Sequence, residues 1–134
     1  MSSPLYLLDT NTVSYSIKGG YLGLWSKLQR VPPGQLAVSA ITEGELRFWN
    51  FLRPQEARTR IHVDEFLSRV PSMPWDSSVT RTYAQLRGDC KLSGRTLAEL
   101  DMLIAAHALA LQAILVTHDR AFSQIVGLRT EDWV

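Results

Sequence analysis

The sequence predicts an α/β fold in which a mainly parallel sheet is layered with helices, and three observations predict it. Short continuous apolar runs occur at "LYLLD" (5–9), "QLAVS" (35–39) and "ILVT" (114–117). Runs this short suit strands buried on both faces, as strands of a parallel sheet are. Each run is followed by a polar turn and then by a stretch of helical spacing, the alternation that parallel strands need for their crossovers. At 134 residues the chain is long enough for one core and short for two, so it reads as a single domain spanning 1–134.

Taken in order, the first run leads into a helix that starts near Thr12. Residues 41–52 and 54–70 read as two helices parted at Arg53-Pro54, with the proline in a first turn, where its missing N–H costs nothing. Asp76 offers an N-cap for a helix reaching about Lys91, closed by the turn "LSGR" (92–95). A last helix runs from about Leu97 to Gln112, and "LRTEDWV" (128–134) reads as a short edge strand.

Composition narrows the function classes. Hydrophobic residues make up 46% and charged residues 20%, which is the balance of a folded protein rather than a disordered one. Apolar runs such as Ala113–Val116 fall far short of the roughly 20 residues that cross a bilayer, so no membrane role is expected. The start "MSSPLYLLDT" has no basic region followed by a long apolar stretch, and the lone Cys90 forms no internal disulfide. A reducing cytoplasm is the expected location. A net charge of +1 gives no electrostatic footprint of a general nucleic-acid binder. Of the 14 basic residues 11 are Arg, whose planar fork suits phosphates and carboxylates, so an RNA or acidic-protein partner is compatible with the charge set.

The informative carboxylates are those on apolar helical faces or at the carboxyl ends of buried strands. Over 41–52, Ile41, Phe48, Trp49 and Leu52 form a stripe that includes Glu45, whereas Glu43 lies across the helix, four residues before Arg47, in a solvated pairing. Over 97–112, Ile104, Ala105, Ala108 and Leu109 or Gln112 form the sheet-facing stripe, with Asp101 at its N-terminal end. Glu99 lies roughly 200° around the helix from Asp101 and reads as a first-turn acid favoured by the helix dipole. Asp9 closes the first strand and Asp119 follows the "ILVT" run by one residue, where open α/β sheets place their ligands. Each has an alternative reading: Asp9 or Asn11 caps the first helix, and Asp119 caps "RAFSQI" (120–125).

Inward carboxylates cost several kcal/mol unless a counter-charge meets them. A site shared by Asp9, Glu45, Asp101 and Asp119, with a metal ion or an inward arginine as counter-charge, accounts for all of them. An all-oxygen donor set selects Mg²⁺ or Mn²⁺ and disfavours zinc. His62, His107 and His118 show no ligand spacing and read as surface or packing residues, and Cys90 reads as inert. Carboxylates with such a cation imply phosphate chemistry, hence hydrolysis of a phosphodiester.

These residues resemble the PIN-domain toxins of the VapC type, the ribonuclease halves of toxin–antitoxin pairs. The resemblance runs through "LYLLDTNTVSYSIKG" (5–19), "VSAITEGEL" (38–46), "LDMLIAAHALALQAILVTHDRAF" (100–122) and "GLRTEDW" (127–133), with 50–95 similar only in character. It places Asp9 on the family's first acid, Glu45 on the acid of its I-T-x-x-E-L block and Asp101 on the acid opening its D-x-x-I-A-A block. Asp119 falls on the fourth acid, the least constant of the set, and His118 stands where members often have Asn. Asn11, Thr117 and His118 neighbour the acids and are candidates to support them. The resemblance further implies a three-layer α/β/α domain, Mg²⁺ or Mn²⁺ dependence, an RNA substrate, a homodimer and an inhibitory antitoxin, with DNA reached only through that antitoxin. Trp25 and Trp49 look exposed and are candidates to line a partner groove.

Two other classes place an Asp after the first strand of an α/β fold. A receiver domain wants an acidic pair earlier and a late lysine, but no acid precedes Asp9 and no lysine follows Lys91. A haloacid-dehalogenase-type phosphatase wants a second Asp two positions on, where this chain has Asn11. The non-enzymatic alternative is an idle PIN fold acting as an RNA-binding or corepressor module, against which the retention of all four acids argues.

Overall fold

The structure, a computed structural model, describes residues 3–134. Its elements run β1 (Tyr6–Leu8), α1 (Thr10–Lys18), α2 (Leu22–Arg30), β2 (Leu36–Ser39), α3 (Ala40–Leu52), α4 (Ala57–Arg69), β3 (Ser72–Met73), α5 (Ser77–Ser93), α6 (Glu99–Leu111), β4 (Ile114–Val116) and β5 (Thr130–Glu131). The strands make one parallel sheet in the order β3-β2-β1-β4-β5, with Tyr6 paired to both Leu36 and Ile114.

Because strand side chains alternate between faces, the sheet divides its apolar residues between two cores. Leu7, Ala37 and Leu115 face α5 and α6, packing with Val79, Leu86, Met102, Ile104 and Ala105. Leu8, Leu36, Val38 and Val116 face the other way, onto Val13, Leu24, Leu46 and Val63 of α1–α4. The result is the three-layer α/β/α arrangement. Trp133 closes the second core, with its ring 5.1 Å from that of Tyr6 and its indole N–H donating to Glu131 at 2.9 Å. Among the described residues no helix is long and apolar enough to cross a membrane.

Several sequence expectations need correction. The helix α1 starts at Thr10 rather than Thr12, since Asp9 already caps it. Two elements, α2 and β3, have no counterpart among those expectations. Pro54 sits in a turn, and α4 starts at Ala57, not in the proline's own turn. On α3 the buried residues are Thr42 and Leu46; of the expected stripe Ile41 and Trp49 pack half-buried against the cores, whereas Phe48 is 57% and Leu52 55% exposed and face away from them. Gln112 is likewise off the sheet-facing stripe: it is the left-handed C-cap of α6, at φ 54°. The rest of α6 is buried on nearly every side, including His107. Asp76 caps α5 as expected, and Gly94 ends it in the left-handed conformation. The edge strand β5 forms at Thr130–Glu131, parallel to β4.

Candidate active site

At the carboxyl edge of the sheet, four segments bring one acid each. Asp9 follows β1 and is buried, and its carboxylate accepts from the Thr12 backbone N–H at 2.8 Å. Thr12 is held in turn by its hydroxyl, which donates to the Val116 carbonyl at 3.2 Å and so ties α1 to the end of β4. Thr117, the next residue after β4, is buried beside Asp9, and its hydroxyl oxygen accepts the backbone N–H of Asp119 at 3.0 Å. Asp119 is exposed and accepts from the Ala121 N–H at 2.9 Å, capping the 3₁₀ turn Arg120–Gln124. For Asp9 and Asp119 the capping readings are therefore realised, alongside their place in the cluster.

Glu45 comes from α3, one turn beyond Thr42. Its carboxylate accepts from the Thr10 hydroxyl at 2.6 Å, and the Thr10 and Thr42 hydroxyls are 3.0 Å apart. Sequence reasoning missed Thr10, Thr12 and Thr42. Their signal was the pair of threonine-acid spacings in "DTNT" and "AITEGE", short polar side chains interleaved with acids where the chain enters a helix. Asp101 stands in the first turn of α6, half-buried. Glu43, by contrast, is paired on the outer face with Arg47 at 2.8 Å.

The acids feel one another. Burial, followed by the charges of Asp119, Asp9 and Glu45, pushes the Asp101 carboxyl from its ordinary 3.8 up to about 6. Burial also raises Asp9, opposed by its bonds to Thr117 and Thr12, with Asp119 adding to the rise. The ion pairs among the described residues are Arg47–Glu43, Arg47–Asp64, His62–Glu65 and His118–Asp132, and none reaches the four acids. No three His, Cys, Asp or Glu side chains among the described residues stand close enough to chelate an ion as they are. In kind the donors fit a hard divalent cation: carboxylate oxygens, threonine hydroxyls behind them, and no thiolate or free imidazole.

Of the neighbouring candidates, Thr117 binds the cluster directly. His118 turns away, its Nδ1 2.7 Å from Asp132, and Asn11 is exposed on a groove beside α1. His107 is buried, with Nδ1 2.8 Å from the Ser39 hydroxyl at the head of α3. Cys90 is buried and unbonded to another cysteine.

Residues 6–128 match the PIN domain profile. "Ribonuclease VapC2" of Haemophilus influenzae is 32% identical, covering 96% of this chain and 98% of that protein. "tRNA(fMet)-specific endonuclease VapC" of Shigella flexneri is 29% identical over 96% and 97% of the two chains. Among solved structures, VapBC2 of Rickettsia felis, bound to a DNA fragment from its promoter, superposes with a TM-score of 0.90 at 29% identity, covering 97% of this chain and 99% of that one. With its parallel sheet, its helical layers and its acids at the sheet's carboxyl edge, the chain belongs to the PIN domain family, on the branch of the VapC proteins.

Proposed function

We propose that this chain is a Mg²⁺- or Mn²⁺-dependent endoribonuclease, the toxin of a toxin–antitoxin pair, working in the cytoplasm as a homodimer held in check by its antitoxin. The observation that carries the reading is the convergence of Asp9, Glu45, Asp101 and Asp119 with no cation among the described residues to neutralise them. Support for the RNA substrate and the partner comes from the names of the relatives, a ribonuclease and a tRNA endonuclease, and from the toxin–antitoxin complex that shares the fold. DNA enters the reading only through the antitoxin.

Asp9, Glu45 and Asp101, with Asp119 as the outermost acid, would hold the cation, which supplies Lewis-acid charge to a phosphodiester and lowers the pKa of water. The chain's own part is positional. The Thr12 N–H fixes Asp9, Thr10 fixes Glu45, the Thr117 hydroxyl holds the Asp119 backbone, and α6 presents Asp101 from its first turn. The raised Asp101 carboxyl carries its proton below about pH 6 and is free to take a cation above it.

Purified protein incubated with total RNA in Mg²⁺ or Mn²⁺ should cleave it internally, and excess chelator should stop cleavage reversibly. Cleavage that persists in chelator would remove the metal from the reading. No cleavage under any divalent ion, with RNA still bound, would make the chain an idle PIN fold.

A further inference from the structure

Beside the acid cluster lies a groove of about 910 Å³ between α1, α3 and α4, to which the proposed site assigns nothing. None of the four acids lines it, but two of its lining residues adjoin them along the chain. Asn11, at its near end, follows Thr10, which bonds Glu45, and Leu46 follows Glu45 itself. The groove then runs along α3 to Arg53, about 12 Å from Glu45 at the helical rise per residue.

Its chemistry is that of a track for single-stranded nucleic acid. Lys18, Arg53 and Arg58 line it against a single carboxylate, Glu56, and among the described residues none of the three cations forms an ion pair or a side-chain hydrogen bond. Four guanidiniums outside the groove are engaged: Arg47 with Glu43, Arg60 with the Pro54 carbonyl, Arg87 with Tyr83 and Arg95 with the Gln124 carbonyl. Within the groove itself three cations thus face one carboxylate, a local excess of positive charge in a chain of net charge +1. Trp49 packs half-buried against the second core and also lines the groove, giving a held aromatic surface. Basic groove plus held aromatic is the combination that follows a phosphate backbone while stacking its bases.

We propose that this groove carries the single-stranded RNA flanking the cleaved phosphate, with Arg53 and Arg58 on its phosphates and Trp49 stacked on a base. The proposal rests on the nuclease reading. It favours RNA over an acidic polypeptide because the groove starts at the chain neighbours of Thr10 and Glu45, and a strand whose phosphate reacts at the acids must continue past them in one direction or the other. A polypeptide has no such reason to be stacked on Trp49.

The test uses a fluorescein-labelled 12-nucleotide single-stranded RNA, read by anisotropy in Mg²⁺ against full-length Asp101→Asn protein so that the probe stays intact. Adding Arg53→Gln and Arg58→Gln should weaken binding at least tenfold at low salt. The slope of log K against log salt should become shallower by about 1.4, at roughly 0.7 for each single-strand phosphate that an arginine no longer neutralises. Trp49→Ala should weaken binding about tenfold, and Trp49→Phe should restore most of it. All three positions line the open groove, and cooperative thermal unfolding well above the assay temperature will show that the variants fold, with Trp49→Ala at a lower midpoint because Trp49 also packs against the second core. Unchanged affinity and slope in the double arginine variant overturn the proposal, while parent protein that still cleaves RNA leaves the nuclease reading standing. Parent protein that fails to cleave refutes the nuclease reading itself. If Arg53→Gln and Arg58→Gln, placed in protein that keeps Asp101, leave RNA cutting as in the parent but release it from inhibition by a co-expressed antitoxin, the groove belongs to a polypeptide and the proposal falls.

Discussion

Replacing Asp101 by Asn in chelator-treated protein removes a carboxyl that the fold holds at a cost. Its rise from 3.8 to about 6 corresponds to about 3 kcal/mol for a group fully shielded from solvent. Asp101 is half-buried, and screening brings the figure to about 1 kcal/mol. A raised carboxyl binds its proton more readily folded than unfolded, so between about pH 4 and pH 6 the native state holds more protons and stability falls as pH rises. The cost is absent near pH 4 and complete above pH 6. Asp101→Asn should therefore match the parent at pH 4 and exceed it by about 1 kcal/mol at pH 7.5, about 3–5 °C in melting temperature for a domain of this size. Urea or thermal unfolding of both proteins across that range reads the difference. Millimolar Mg²⁺ should then narrow or reverse the advantage, because a cation that binds the native carboxylates stabilises the parent by mass action. An Asn variant no more stable than the parent at pH 7.5, relative to pH 4, would refute the repulsion on which the candidate site is built.

Four further outcomes are expected. Glu45→Gln should reduce RNA cleavage at least a hundredfold while Glu43→Gln leaves most of it, as read from initial rates in Mg²⁺; equal losses would undo the distinction between the acid facing Thr10 and the one facing Arg47. Asp9→Asn should nearly eliminate cleavage, with Asp119→Asn milder because its carboxylate is exposed and the amide keeps an oxygen donor. His107→Ala should destabilise the fold by about 2–3 kcal/mol in urea, through the lost packing and the unpaired Ser39 hydroxyl. Burial holds the His107 imidazole below its ordinary 6.5, so the neutral form is the folded one, and its contribution should be full above pH 6.5 and fade on acidification; a pH-independent difference between His107→Ala and the parent would count against this.

How much of this was legible varies with what each residue does. The runs at β1, β2 and β4 were readable because strands buried on both faces leave unbroken apolar letters. The strand β3 is two half-buried residues between prolines, and α2 buries only Leu24, so neither writes a pattern into the sequence. On α3 the inward placement of Glu45 was reached from partly misassigned neighbours. Phe48 and Leu52 are exposed, and the residues that share the face of Glu45 are Thr42 and the half-buried Trp49, three before and four after it. Periodicity alone cannot separate a core stripe from an apolar surface left for a partner, because both use the same letters at the same spacing. The threonines were silent for the opposite reason: a buried hydroxyl looks like a surface residue until its partner, far along the chain, is known.

For Asp9 and Asp119 the capping reading and the site reading are alternatives in the sequence, and the geometry removes the opposition between them. An ionised carboxylate has about four acceptor positions on two oxygens. Capping uses one of these on Asp9, toward the Thr12 N–H, and one on Asp119, toward the Ala121 N–H. These bonds favour the charged form and fix the rotamer, leaving further lone pairs on each acid. Because β1 and β4 are neighbours in a parallel sheet, their ends lie at the same edge, so both caps open toward the same space. Thr117, buried beside Asp9, accepts the Asp119 backbone N–H and so holds the second acid close to the first. The same side chains that start α1 and the 3₁₀ turn thus assemble the acidic cluster, so an alanine at either position should lose helix-capping stability along with function. An asparagine keeps the cap and separates the two roles.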